Sequence, residues 1–259
     1  FAGETALSAA LARLTQPAPD PRSVRLHDPS GLVKQVVPDA LAELVLRCLA
    51  RDSQLLETDA EGKQQRKDVL RLCTAFTKAL TARLRDRPIV EAVQAELAPA
   101  EITAIKAGHN IPDSILRLVT ALLLQARQAG RLDSVTYCAM AEHINQLTAI
   151  QGACERIRYT ALPFAYTLLL HRTAHLFCIL LPFGVVHSLG YATPLLTALV
   201  AYTFFGLDAL GDELEEPFGT AQNDLPLDAM TRNIEIDLAE YRGLEDVPEP
   251  LKPVDFLLM

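Results

Sequence analysis

The sequence has few basic residues and no large excess of glycine or proline, and each of these features excludes a class of protein. It has 24 Lys and Arg against 32 Asp and Glu in 259 residues, a net charge of −8, whereas proteins that bind nucleic acid normally carry a basic surplus. The 12 glycines and 16 prolines are too few for a collagen-like or low-complexity chain. Hydrophobic side chains make up 50% of the sequence, which excludes disorder. We therefore expect an ordered protein without a nucleic-acid partner.

Paired cysteines are also missing. The five cysteines are odd in number and widely spread, and none forms a CxxC pair, so the sequence predicts neither a disulfide framework nor a zinc knuckle. We expect a reducing or membrane-buried setting for them: Cys48, Cys73, Cys138, Cys154 and Cys178. No basic segment followed by an apolar core stands at the N-terminus, so no signal peptide is recognisable.

An amphipathic helix is predicted in the first half of the chain. Apolar residues recur at helical spacing from Val69 through Phe76 to Leu84, which is the pattern of one buried face. Basic residues occupy the other face: Lys63, Arg66, Lys67, Arg71, Lys78, Arg83 and Arg85. This basic face agrees with a cytosolic location by the positive-inside tendency.

Start and stop signals predict further helices, and no strand, glycine-rich phosphate loop or internal repeat is recognisable. Proline at a first turn, a capping Asp or Ser, and a terminal glycine mark helix boundaries. The predicted helices run from Pro38 to Leu49, from Pro112 to Gly130, from Asp133 or Ser134 to about Ile157, and after Asp224 to Gly243, the last with Ile234, Leu238 and Tyr241 on one side. The sequence therefore predicts an all-α chain.

The most informative segment lies between Arg172 and Asp208, because residues 173–207 contain no Asp, Glu, Lys or Arg. Glycine and proline break the run near residues 188–194, which predicts two hydrophobic helices at about 163–186 and 194–210. Such a hairpin lies either in a membrane or in the core of a soluble bundle, and hydropathy favours the membrane. A charge at mid-membrane costs about 3 kcal/mol, so Arg172 would have to face protein or a water-filled path.

Two side-chain groups near this segment could carry chemistry. His171 and His175 stand four residues apart, as two ligands of a metal site would, but no third ligand is apparent and a polar pair in a packed bundle is favoured. An acidic run follows the second apolar helix: Asp208, Asp212, Glu213, Glu215 and Glu216. Like charges four residues apart destabilise a helix. The acidic run is therefore either a helix end that points into water or a group that attracts cations.

Several short motifs, in order along the chain, resemble the bestrophin family in its bacterial branch. They are Cys154-Glu155-Arg156-Ile157, Tyr159-Thr160, Leu162-Pro163-Phe164-Ala165-Tyr166, His171-Arg172-Thr173, Leu181-Pro182-Phe183, Thr193-Pro194, Glu213-Leu214-Glu215-Glu216-Pro217-Phe218-Gly219 and Asn223-Asp224-Leu225-Pro226-Leu227-Asp228. The similarity is dense from about 152 to 238 and continues more weakly back to about residue 66.

The resemblance implies a helical, multi-pass integral protein of the cell membrane that also has amphipathic cytosolic helices. Members are passive channels for chloride or small cations, without a cofactor, built as a ring of five identical subunits in lipid. In the family, the apolar residue before the Pro-Phe pair forms a narrow aperture. The corresponding residue in this sequence is Leu162. The acids Asp212, Glu213, Glu215 and Glu216 would line the vestibule and bias it towards cations. The alternative from the residues alone is a soluble all-α scaffold without transport activity, and a metal-dependent enzyme using the histidines and acids is a third.

Two departures from the family pattern stand out. The family's first two membrane helices have no recognisable match in residues 1–62, so we expect that segment to be atypical or truncated and residues 63–259 to form the channel region. Animal members also follow Pro-Phe-Gly with a run of acids that helps to hold calcium. Here Asp224 is the only acid at residues 220–224, and no calcium clasp or other metal site is expected.

Overall fold

A computed structural model describes residue 56 and residues 59–160, 164–222 and 224–253. These residues form eight α-helices and no strand, as the sequence predicts. The helices are α1 (Ala60–Leu84), α2 (Ile89–Val93), α3 (Pro99–Lys106), α4 (Ile111–Gln128), α5 (Ser134–Tyr159), α6 (Phe164–Leu189), α7 (Thr193–Glu215) and α8 (Leu227–Arg242). The predicted helix at 38–49 lies outside the described residues.

Helix α1 forms the centre of a helical body made by α1–α5 and α8. The predicted apolar stripe is buried, with Val69, Phe76 and Leu84 at most 3% exposed. Residues between the stripe positions, such as Leu70 and Ala75, are also fully buried, because α2, α4, α5 and α8 all contact α1. Burying a large apolar side chain stabilises the fold by about 1.5–3 kcal/mol, so this helix contributes much of the stability of the body.

The predicted helix boundaries are largely confirmed, and capping chemistry explains them. The Asp133 carboxylate accepts hydrogen bonds from the amides of Val135 and Thr136, both at 3.2 Å, which satisfies the free donors at the start of α5. Gly130 and Gly243 follow α4 and α8 with φ of 74° and 67°, a conformation that glycine adopts without steric cost. On the predicted side of α8, Ile234 and Leu238 are buried in the core, whereas Tyr241 near the end of the helix is 42% exposed.

The basic face of α1 is engaged in ion pairs with other helices of the body. Arg71 donates to both carboxylate oxygens of Glu101 at 2.8 Å, and Lys78 lies 3.0 Å from Glu96 and 2.5 Å from Glu235. Near the end of α1, Arg85 pairs with Asp228 at 2.5 Å, with only 2% of its side chain exposed. These pairs tie α1 to α3 and α8, and bidentate Arg–carboxylate geometry is the strongest form of such a contact.

The Arg71–Glu101 pair makes stability depend on pH. The hydrogen bonds from Arg71 hold the pKa of Glu101 below its usual value. The pair therefore contributes its full stabilisation above about pH 4.3, the ordinary pKa of a glutamate in the unfolded chain. This contribution is lost as the pH falls through the lowered pKa of the folded state. We expect Glu101→Gln to lower the melting temperature at neutral pH, and the difference from the unsubstituted protein to shrink on acidification. Glu91→Gln, at an exposed position on α2, is the matched control; an equal loss in both variants at all pH values would contradict the prediction.

The cysteines in the described part of the chain are all unpaired, in agreement with their spacing. Burial raises the pKa of the Cys73 and Cys154 thiols to about 12. Because the thiolate is the reactive form of cysteine, these two side chains act as small apolar groups of the body.

Helices α6 and α7 form the predicted hairpin. A single turn of 3₁₀ helix at Gly190–Ala192 joins them, Gly190 has a φ of 51°, and Pro194 stands in the first turn of α7, where its missing N–H costs nothing. The continuous stretch Leu168–Glu213 is long and apolar enough to cross a membrane. Helix α7 extends beyond its apolar part to Glu215, so the acids up to Glu215 belong to the helix and Glu216 follows as its cap residue.

Candidate functional site

The hairpin surface is the most unusual feature of the described structure. Phe183 and Leu195 are 76% and 77% exposed, and large apolar side chains are exposed along both helices. Within the most apolar window of Leu168–Glu213, 11% of the residues are buried, so the hairpin does not pack into the core of this chain. A soluble monomer rarely leaves an apolar surface of this extent uncovered. The surface therefore requires lipid or other protein around it.

Contacts between the two helices of the hairpin hold it together. Asp208 on α7 lies 2.6 Å from Nδ1 of His171 on α6, and the rings of Phe177 and Phe204 meet edge to face at 5.5 Å. One turn along, His175 packs against the ring of Phe205. This polar contact and the aromatic contacts thus fix the register of α6 against α7.

The two histidines of α6 have separate partners. Nδ1 of His175 is 2.7 Å from the backbone oxygen of His171, while Nδ1 of His171 faces Asp208. Among the described residues, no group of three or more His, Cys, Asp or Glu side chains is placed to hold a metal ion.

A groove of about 490 Å³ runs between α6 and α7. Its walls are apolar, formed by residues that include Leu170, Phe177 and Phe204, and the acids Asp208, Asp212 and Glu215 line it from α7. The groove therefore brings part of the acidic run to one side of the hairpin, next to the apolar surface. Sequence spacing alone does not show this groove, because it depends on the register of α6 against α7.

The predicted acids stand at the C-terminal end of α7. Asp212, Glu213 and Glu216 are exposed and Glu215 is half-buried, and Glu216 is the cap residue that ends the helix. Four carboxylates within two turns create a strongly negative region, and acids here oppose the helix macrodipole. Such an arrangement can attract cations and repel anions near the end of the hairpin.

The Pro-Phe-Gly motif fixes the end of α7 to the helical body. Phe218 is 2% exposed and belongs to the main core, and the amide of Leu225 donates to the carbonyl of Pro217 at 3.0 Å. The Asp224 carboxylate accepts a hydrogen bond from the amide of Ala221 at 2.6 Å. A Cβ at Gly219 would lie 2.5 Å from Oδ2 of Asp224, so any other residue there would displace this carboxylate. Asp224 is thus occupied in holding its own loop.

The C-terminal half of α5 carries a polar network that the sequence does not reveal. Glu155 lies 2.9 Å from Nε of Arg83 at the end of α1 and accepts hydrogen bonds from Asn110 and Gln151, both at 3.0 Å. The network joins α1, α4 and α5 directly before the chain enters the hairpin. Helical periodicity identifies apolar faces, whereas Asn110 and Arg83, which lie 45 and 72 residues before Glu155 in the chain, leave no signal in it.

The remaining predicted site residues fall into three groups. Leu162, Pro163 and Asn223 lie outside the described residues, and Phe164 is the first residue of α6. Arg172 and Thr173 are exposed on α6. The structure brings His171 together with Asp208 and gathers Asp212, Glu215 and Thr173 at the groove, while Phe218, Gly219 and Asp224 form a separate loop.

Comparison with known proteins gives a consistent family match. A family model described as "Bacterial/Fungal Bestrophin protein" matches residues 40–240. The voltage-dependent anion channel-forming protein YneE of Escherichia coli O157:H7 is 41% identical over 187 residues, which are 72% of this chain and 62% of that protein. The voltage-dependent anion channel-forming protein mll4386 of Mesorhizobium japonicum is 40% identical over 210 residues, 81% of this chain and 66% of that protein. The matched part thus spans less than two thirds of these relatives.

A solved structure agrees with the sequence matches. The crystal structure of a bacterial bestrophin homolog from Klebsiella pneumoniae superimposes with a TM-score of 0.73 at 37% identity, covering 82% of this chain and 79% of the other. The fold described above is therefore similar to that of a bestrophin homolog.

Proposed function

The chain belongs to the bacterial and fungal branch of the bestrophin family, and from this premise we propose that it is a subunit of an ion channel. It carries ions passively down their electrochemical gradient, needs no cofactor and catalyses no reaction. The observation that carries the proposal is the hairpin α6–α7, which has no charged residue at 173–207 and whose apolar surface is exposed outside the helical body. A lipid bilayer covers that surface without further protein.

The proposed assembly is a ring of identical subunits around a central path, of five copies as the family resemblance implies. A closed ring requires a head-to-tail contact that repeats until it meets itself. Each subunit contributes Leu162, immediately before the hairpin, to an apolar constriction. Such a ring resists wetting, so a small change in its radius switches conduction on or off. The chain crosses the cell membrane more than once, with the helical body on the cytosolic side.

The proposed permeant ion is an anion, because the curated relatives are named as anion channels. The acids at the end of α7 act against that preference. Their negative potential lowers the local concentration of anions and raises that of cations, so we propose that selectivity is set by the balance between the aperture and this acidic region.

Reconstitution tests the proposed function. The purified protein is placed in a planar bilayer under a salt gradient, with folding confirmed by circular dichroism. The expected result is stepwise current whose reversal potential lies towards the equilibrium potential of the anion. Absence of current from folded, membrane-inserted protein would contradict the channel assignment, and a reversal potential at the cation limit would contradict anion selectivity.

Neutralising the acidic end of α7 tests its role in selectivity. The triple variant Glu213→Gln, Glu215→Gln and Glu216→Gln removes three negative charges per subunit, and we expect the ratio of chloride to sodium permeability to rise by roughly twofold or more. The measurement is the reversal potential in the same salt gradient.

The control for this prediction removes the same number of acids outside the hairpin, in the segment after α8. Glu245, Asp246 and Glu249 follow α8 and are exposed, and their amide variants should leave the reversal potential unchanged. An unchanged reversal potential in the α7 triple variant, or an equal shift in the control, would show that the acidic region does not act on the permeant ions.

A further inference from the structure

Arg172 is a charged residue in the apolar hairpin, and the described part of its own subunit gives it no partner. It is exposed on α6, and among the residues that the structure describes, no carboxylate or other hydrogen-bond acceptor contacts it. It stands inside the stretch Leu168–Glu213, which is apolar enough to cross a membrane. An arginine at such a position is costly in lipid and almost always pairs with another group, so we expect its partner outside the subunit.

Asp212 on α7 has the opposite charge and also lacks a partner. It lines the groove between α6 and α7, whose walls are largely apolar, and no cation within the described ranges contacts its carboxylate. Asp208 lines the same groove but differs, because Nδ1 of His171 lies 2.6 Å from its carboxylate. An unpaired carboxylate beside apolar walls favours a cation that can enter the groove.

Arg172 and the groove lie on different sides of the hairpin. The residues of α6 that line the groove, among them Leu170, Thr173 and Phe177, share one face of that helix. At about 100° per residue, Arg172 projects roughly 150° away from the middle of this face. A contact between Arg172 and Asp212 of neighbouring copies would therefore use two different surfaces of each subunit. This is the condition for a head-to-tail contact that closes into a ring.

The two charges also lie at matching levels along the hairpin. The contact between His171 and Asp208 places residue 172 close to the level of Asp208. Asp212 follows one turn later, about 6 Å further along α7. Because α6 and α7 are antiparallel and side chains lean towards the N-terminus of their own helix, Arg172 and Asp212 lean towards each other's level. In a ring whose subunits stand at the same depth in the membrane, the two groups of neighbouring copies are thus at similar heights.

We propose that Arg172 of one subunit enters the groove of the next subunit and pairs with Asp212 there. The inference rests on the ring of subunits in the proposed function and identifies the surfaces that form its contact in the membrane. The neighbouring copy covers the apolar walls of the groove and supplies the cation that Asp212 lacks. Arginine suits this contact because its guanidinium donates several hydrogen bonds to one carboxylate.

Cysteine cross-linking between two differently tagged copies tests the contact. One copy carries Arg172→Cys and the other carries Asp212→Cys, and their membranes are treated with a short bis-methanethiosulfonate reagent. We expect a product that carries both tags, well above the background of the same pair without introduced cysteines. Glu213→Cys is the matched control for the second copy, because this neighbouring acid is not part of the groove wall and turns away from it. Equal products from Asp212→Cys and Glu213→Cys would overturn the inference.

Charge reversal measures what the contact contributes to assembly. We expect Arg172→Glu to raise the protein concentration at which half of the subunits dissociate in detergent by about tenfold or more, because it brings like charges together in each contact. Adding Asp212→Arg should restore most of the assembly, since the pair is then present with its charges exchanged. Both positions are exposed in the single subunit, so its fold should be retained, which circular dichroism checks. Arg156→Glu, at an exposed position of α5, is the control and should leave dissociation unchanged.

The oligomeric state of the unsubstituted protein separates failure of this inference from failure of the proposed function. If the protein assembles but Arg172→Glu dissociates no more readily than Arg156→Glu, or if the double variant is not restored, the contact is wrong and the ring stands. If the protein is monomeric in detergent and in bilayers, the ring fails and the contact fails with it. Loss of assembly in Arg172→Glu with recovery in the double variant supports the contact, whether or not a current is observed.

Discussion

Replacing Leu162 by alanine is expected to raise the current through the reconstituted channel on the order of tenfold, because a ring of shorter side chains is wider and wets more readily. In the proposed assembly every subunit contributes one Leu162, so a single substitution changes the whole constriction. The expected gain comes from a longer open time and a larger conductance together. The measurement is the mean current per inserted channel at fixed voltage and salt.

The control for the aperture substitution is another leucine in the same chain. Leu169 is 64% exposed on α6 and is assigned to the lipid-facing surface in the proposed arrangement, so Leu169→Ala should leave the current within about twofold of the unsubstituted channel. If Leu162→Ala leaves the current unchanged, or if both leucine variants raise it equally, the aperture is not at Leu162.

Replacing Phe218 by alanine is expected to lower the free energy of unfolding of the helical body by about 3–5 kcal/mol, the loss found for large buried aromatic side chains. Phe218 is 2% exposed and packs in the core cluster that includes α1 and α8. Its removal leaves a cavity at the place where the end of α7 joins the body. The measurement is thermal or denaturant unfolding in detergent, followed by far-ultraviolet circular dichroism.

Phe183 provides the matched comparison for this stability effect. It is also a phenylalanine of the hairpin region, but its side chain is 76% exposed on α6, so Phe183→Ala should change the unfolding free energy by about 0.5 kcal/mol or less. Equal losses in the two variants would mean that Phe218 is not the anchor that the structure indicates.

Local patterns in the sequence predicted much of the fold. The stripe from Val69 to Leu84 is buried as expected, because a helix with one continuous apolar face must cover it. The capping carboxylate of Asp133 and the terminal Gly130 mark helix boundaries correctly, because the chemistry of a cap lies within three residues of the helix end. The split of the uncharged run at Gly190 follows from the same kind of local signal.

Contacts between residues that are distant in the chain could not be predicted from local sequence patterns. Arg85 belongs to a face predicted as basic, yet its side chain is almost fully buried against Asp228, 143 residues away. The pairing of Arg158 with Glu216 and of His171 with Asp208 depends equally on how helices pack. Tyr241 occupies the predicted apolar side of α8 and is exposed, because the neighbouring helices cover only part of that side.

The family match came from short motifs, most of them at the hairpin and its ends. Each residue of Pro217-Phe218-Gly219 has a structural role. The helix ends before Pro217, the ring of Phe218 packs in the core, and the chain turns at Gly219 close to Asp224. Periodicity alone predicted helices without indicating which protein they form. Those motifs and the absence of charged residues at 173–207 are the features that indicate the function.

Membrane extraction tests most directly whether the hairpin α6–α7 lies in lipid. Membranes from cells producing the protein are washed first with high salt, then with alkaline carbonate, and finally with detergent. The exposed apolar hairpin predicts that the protein stays in the pellet through both washes and is released by detergent alone. Release of most of the protein into the carbonate supernatant, in a form that stays monomeric without detergent, would contradict this account.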